Sequence, residues 1–102
     1  MSHISNNMTI VFYDIASNKL RNKIDKCMKG FGTRIQFSVF LCRLDAEGVA
    51  HCRFKLEELL ERFACEKEPN DSIILLEQLN PNKLNCILGE NIRRDAPRFM
   101  VL

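Results

Sequence analysis

At 102 residues, 46% of them hydrophobic and 27% charged, the chain has room for one domain around one core, and residues 1–102 are read as a single domain. No run approaches the roughly 20 apolar residues of a membrane span, and the polar start MSHISNN lacks the charged region and apolar stretch of a secretory signal, so no membrane partner and a cytoplasmic location are expected. The net charge of +2 argues against a strongly basic binding domain, yet residues 1–45 hold seven Lys/Arg against three Asp/Glu while residues 46–102 hold eight against ten, a hint of a polyanion partner at one end.

The first seven residues are expected to be disordered. MTIVFYDI, residues 8–15, is apolar at nearly every position and rich in Val, Ile and aromatics, as in a strand covered on both faces. A carboxylate in such a run needs a partner or a task, because an unpaired buried one is either costly or neutralised. Asp14 is therefore the residue to explain. Ser17 or Asn18 caps a helix whose apolar residues Leu20, Ile24, Cys27, Met28 and Phe31 keep helical spacing, with Lys19, Arg21, Lys23, Lys26 and Lys29 on the other side. GFGT ends it, with Gly30 or Gly32 expected in the left-handed conformation of a C-cap. A phosphate-cradling loop would precede a helix rather than follow one.

TRIQFSVFLCRL, residues 33–44, alternates, which predicts a strand with Ile35, Phe37, Val39 and Leu41 on a core face and Arg34, Gln36, Ser38 and Phe40 on the other. Val49, Cys52, Leu56, Leu59, Leu60 and Phe63 predict a second amphipathic helix from Ala46 to about Cys65. Pro69, Asn70 and Asp71 break the chain before the strand SIILLEQL, and Asn80-Pro81-Asn82 turns it into LNCIL, read as a further strand. RFMVL, within the tail 91–102, supplies a terminal one.

Cys27, Cys42, Cys52, Cys65 and Cys86 are odd in number, contain no C-x-x-C pair and fall mostly on apolar positions, so they read as reduced core thiols. Neither His3 nor His51 has ligand spacing around it. The element order is assigned to an α+β fold, the ferredoxin-like βαββαβ sandwich with an additional C-terminal strand. Both helices would lie on one sheet face, and a chain this short cannot cover the other with its own elements, so a homodimer is expected.

VFYDI, LRNKI, GFGTRIQFSVF, DSIILLEQL and ILGE, in that order over residues 8 to 90, resemble the successive signatures of the small CRISPR-associated adaptation protein of the Cas-two family. The resemblance implies a ferredoxin-like homodimer whose members include metal-dependent endonucleases acting on RNA or DNA. It also implies the central adaptor of spacer acquisition, which bridges dimers of the CRISPR-associated integrase (Cas-one type) on duplex DNA. Carried onto this chain, the strand-end aspartate is Asp14, the catalytic and metal-binding candidate, with Tyr13 beside it. Arg21, Lys23 and Arg34 are the nucleic-acid contacts it implies, to which the basic side of the first helix adds Lys26 as a phosphate candidate, and Ser38 and Phe40 are supporting or interface residues. Lys23 stands where some members carry Arg, and so lacks the planar fork that grips phosphate.

A dimer axis near the end of the first strand would bring two copies of Asp14 together, and two carboxylates at close range ionise together only around a cation; Mg²⁺ or another divalent ion fits such oxygen ligands. Each residue has an ordinary structural role to set beside this. Asp14 could form a turn or cap a helix, Tyr13 could pack with its hydroxyl at the edge, the basic helix side could face solvent, and Phe40 could be interface core rather than a base-stacking platform. Two functions survive: a metal-dependent phosphodiesterase, or a structural adaptor that holds DNA. The sequence shows no histidine base and no second acidic ligand near Asp14, which favours the adaptor. A ferredoxin-like toxin-type ribonuclease or regulatory module unrelated to CRISPR is the alternative.

Overall fold

The computed structural model describes residues 8–85. In chain order it holds β1 (Met8–Asp14), α1 (Asn18–Met28), β2 (Gly32–Gln36), β3 (Val39–Cys42), α2 (Ala46–Arg62) and β4 (Ser72–Leu79), with single 3₁₀ turns at Ala64–Glu66 and Pro81–Lys83. The four strands form one sheet in the order β2-β3-β1-β4, with every neighbouring pair antiparallel. This is the α+β, ferredoxin-like arrangement. It is reached by a different division of the chain from the one the alternation predicts.

Residues 33–44 are a hairpin, not one strand: Gln36 pairs with Val39 and Arg34 with Phe40 across a turn at Phe37 and Ser38. The hairpin supplies the second and third strands, so LNCIL is not needed to complete the order. Leu84 and Asn85 carry no strand, and the rest of LNCIL, the terminal strand RFMVL and residues 1–7 lie outside the described residues.

α1 starts where the Ser17 hydroxyl accepts the Leu20 N–H at 3.2 Å, and it buries Leu20, Ile24 and Met28 at i, i+4 and i+8. Full burial of each contributes about 1.5–3 kcal/mol. Its end departs from expectation. Lys29 is right-handed, and neither Gly30 nor Gly32 has a left-handed backbone. Gly32 is required for another reason, since a Cβ there would lie 2.3 Å from the Leu41 carbonyl oxygen and 2.6 Å from Cys42 Sγ. Only a glycine lets β2 approach β3 this closely. α2 begins at Asp45, whose carboxylate accepts the Gly48 N–H at 2.8 Å, and it buries Val49, Cys52 and Leu56.

The register separates two sheet faces. Val11 and Tyr13 of β1 lie beside Phe40 and Cys42 of β3 and Ile73 and Leu75 of β4, and all pack with the buried residues of both helices. On the opposite face Ile10, Phe12 and Asp14 lie beside Leu76, Ile74 and Ser72, and Ile74 and Leu76 are each 45% exposed. Two expectations are corrected here. Phe40 is completely buried beneath the helices of its own chain, so it needs no second chain to cover it. Phe37, expected on the core face, sits in the hairpin turn and is 68% exposed.

Among the described cysteines all are free; Cys42 and Cys52 are core residues as expected, Cys27 is half-buried and Cys65 is exposed. The Cys52 thiol lies 3.8 Å from Met28 Sδ. No helix among the described residues is long and apolar enough to cross a membrane.

Candidate nucleic-acid and metal site

Asp14 ends β1 with its side chain exposed, opposite Ser72 of β4. The chain around it is held from far away in sequence. Asp71, just before β4, accepts the Ala16 N–H on one carboxylate oxygen at 3.0 Å and the Glu68 N–H on the other at 2.8 Å. The Ser17 hydroxyl, besides capping α1, donates to Glu66 Oε1 at 2.7 Å. A cleft of about 400 Å³ opens here, lined by Asp14, Ala16, Ser17, Glu68, Asn70 and Asp71 among others. Glu68 and Asp71 thus line the same cleft as Asp14.

The donor chemistry fits a hard cation in part. Asp14 is an accessible carboxylate, but both Asp71 oxygens are engaged by backbone N–H groups. No group of three His, Cys, Asp or Glu side chains converges on a metal position among the described residues.

Arg21 projects from the first turn of α1 to the same end of the sheet. Its Nη1 donates to the Ile15 carbonyl at 2.9 Å and its Nη2 to Asn18 Oδ1, and the guanidinium carbon lies 5.3 Å from the centroid of the Phe37 ring. The side chain is fixed in place and still carries unused donors, as a phosphate contact requires. Lys23 and Lys26 lie elsewhere, in a groove of about 440 Å³ between the helices, with Cys27, Phe31, Lys55 and Arg62 also lining it. Lys23 Nζ rests 5.4 Å from the centroid of Phe63. The four basic candidates are therefore divided between two surfaces rather than gathered.

Arg34 is partnered. Its Nη2 lies 2.9 Å from Asp25 Oδ2, and its guanidinium sits 5.5 Å from the Phe40 centroid. The Tyr13 hydroxyl donates to the other oxygen of Asp25, and the Tyr13 and Phe40 rings stack at 6.4 Å. Burial, reinforced by the hydrogen bond to Asp25 and its charge, holds the Tyr13 hydroxyl protonated well above the usual phenol range; Arg34 and Arg21 act more weakly in the other direction. Tyr13 thus has its hydroxyl at the edge of the core, as the pleat predicts. Ser38 offers its carbonyl to the Tyr13 N–H at 3.1 Å, which joins the hairpin turn to the end of β1.

The family profile of CRISPR associated protein Cas2 matches residues 7–83. This chain belongs to the Cas2 family. It is 42% identical over 53 residues to the CRISPR-associated endoribonuclease Cas2 of Thermus thermophilus, a match covering 52% of this chain and 56% of that protein. A CRISPR-associated endoribonuclease Cas2 of Rhodospirillum rubrum is 43% identical over 53 residues, 52% of each chain. The chain thus spans about half the length of the curated relatives it matches. A solved structure of a hypothetical protein from Thermus thermophilus superposes with a TM-score of 0.64 at 26% identity, covering 81% of this chain and 90% of that one. Streptococcus pyogenes Cas2 superposes at 0.55 with 22% identity, covering 88% and 95%, and shares the fold.

Membership in Cas2 ties the chain to CRISPR-associated proteins and decides against an unrelated toxin-type module. In this Cas2 chain sequence reasoning missed Asp25, which joins Tyr13 to Arg34. The available signal was its isolation: it is the one carboxylate in NKLRNKIDKCM, one turn after Arg21 and next to the buried Ile24. Asp71 and Glu66 were also missed. Their partners lie 55 and 49 residues away, a distance that no local spacing encodes.

Proposed function

We propose that this Cas2 chain is a cytoplasmic CRISPR adaptation protein that acts as a homodimeric adaptor. In this role it bridges integrase dimers on duplex DNA during spacer acquisition, with metal-dependent endonuclease activity on RNA or DNA as a second capacity. The observation that carries the reading is a shared face: Asp14 lies on the sheet face turned away from the helix-packed core with Ile10, Phe12, Ile74 and Leu76, of which Ile74 and Leu76 are each 45% exposed. A second copy covering that apolar strip about a twofold axis would bring its own Asp14 to the same edge, so the interface and the acidic site would form together.

Asp14 of each copy would hold the cation, and Mg²⁺ bound there supplies polarisation of a phosphate oxygen and acidification of a bound water. The chain's own residues do the positioning. Arg21, fixed by Ile15 and Asn18, orients a phosphate beside Asp14, and Asp71 and Glu66 hold the turn that carries Asp14 and Ser17. Lys23 and Lys26 add backbone attraction along the helix groove without reading sequence.

The test is paired, on one Asp14→Asn protein: nuclease turnover in Mg²⁺, and fragment integration with the integrase partner. Turnover is expected to collapse while integration and duplex binding persist. Turnover at the wild-type rate would remove the metal role, and loss of integration by a folded dimer would remove the adaptor role.

A further inference from the structure

Phe37 is the most exposed of the large hydrophobic residues picked out on the described surface, at 68%. It occupies a place where a two-residue hairpin ordinarily carries Asn, Asp or Gly. The turn does not need the ring for packing. One face of the ring is taken by the guanidinium of Arg21, 5.3 Å from its centroid, and that guanidinium is itself held by the Ile15 carbonyl and Asn18. The stack joins the hairpin end to the first turn of α1. The Ser38 carbonyl ties the turn to Tyr13, next to Asp14.

We infer that Phe37 is a platform for one unpaired base of a single-stranded nucleic acid, stacked on the ring face opposite Arg21, with the adjoining phosphate on Arg21's unused donors. An aromatic face backed by a cation beside a phosphate contact is the arrangement by which single strands are held without regard to sequence. A base inside an intact duplex cannot reach the ring, so Phe37 selects strands with at least one unstacked nucleotide. The inference rests on the reading that phosphate meets Arg21 and adds to it the strandedness of what is bound there.

The chain contains no tryptophan and one tyrosine, so Phe37→Trp places a sole tryptophan on the platform, excited selectively at the red edge where tyrosine does not absorb. The probes are a short mixed-sequence single strand, the same strand with abasic sugars throughout, and a blunt duplex. The base-bearing strand is expected to quench Phe37→Trp fluorescence, and the abasic strand and duplex to bind without quenching. Phe37→Ala is expected to weaken single-strand binding about tenfold, the loss of one stacked base, with duplex affinity and sedimentation unchanged. Equal quenching by the abasic strand, single-strand affinity unaltered in Phe37→Ala, or dissociation of an oligomer by that substitution would each overturn the platform. Salt-dependent binding that ignores Phe37 defeats this inference alone, whereas absence of any polyanion binding by the unaltered protein defeats the nucleic-acid reading beneath it.

Discussion

Asp25 and Arg34 are joined between α1 and β2, with Nη2 2.9 Å from Oδ2, and the same carboxylate accepts the Tyr13 hydroxyl on its other oxygen. One acidic side chain thus ties the first helix to two strands. Asp25→Asn keeps the shape but removes the charge, and it is expected to cost about 1–2 kcal/mol in urea unfolding; Arg34 is more than a third exposed, so solvent screening holds the loss to that range. The same substitution frees Arg34 from its competitor for phosphate. Polyanion affinity, read by fluorescence anisotropy at fixed salt, should therefore rise in Asp25→Asn while stability falls.

Gly32→Ala places a methyl group 2.3 Å from the Leu41 carbonyl, against backbone that cannot rotate away. The pairing of β2 with β3 must open to accept it. A loss on the order of 2–3 kcal/mol is expected, seen as a lower denaturant midpoint.

The core thiols set an alkaline limit. Burial, followed by the neighbouring thiol, pushes Cys42 up from an ordinary 9.0 to about 12 and Cys52 to about 11. The unfolded chain releases these protons first, so their contribution to stability is complete below about pH 9 and is lost as pH rises through about 11 to 12. Thermal unfolding scanned from pH 8 upward should show the midpoint falling in that window. A thiol reagent at pH 8 should label exposed Cys65 in the native protein and reach Cys42 and Cys52 only on unfolding.

The two faces of β4 should respond differently to charge. Leu76→Asp alters the face away from the helices and is expected to leave a folded chain that sediments as a monomer, whereas Leu75→Asp sets an unpaired carboxylate into the half-buried contact with the core and is expected to destabilise the fold. Sedimentation and far-ultraviolet circular dichroism on the two variants separate assembly from folding.

The helices and β4 were legible because each has a simple period: Leu20, Ile24 and Met28 on one helix stripe, Val49, Cys52 and Leu56 on the next, and SIILLEQL between breakers. The hairpin was not. Its turn, Phe37-Ser38, has no Gly, Asn or Asp and no left-handed residue to mark it, and the pairing of β2 is irregular just before it, between Arg34 and Gln36. Once the strand is folded back, Arg34 and Phe40 become cross-strand partners under α1, so one missed turn moved Phe40 from surface to core. Asp14 and Arg21 stand out in their strings, and the fold brings them to the same end of the sheet, Arg21 donating to the Ile15 carbonyl next to Asp14. The clamp by Asp71 and Glu66 was not, because it joins segments that meet only in the folded chain.

β1 lies between β3 and β4, and its far end is secured by Asp71, 55 residues downstream of the Ala16 amide it holds. The first of the described strands to be synthesised is therefore the last of them to gain both neighbours. A nascent chain that has made β1, α1 and the hairpin has Asp14 in hand but no β4 beside it and no Asp71 to fix the turn. The turn that follows Asp14 is therefore fixed only after the second helix has been synthesised and β4 has docked, so the setting of an early residue waits on a late strand.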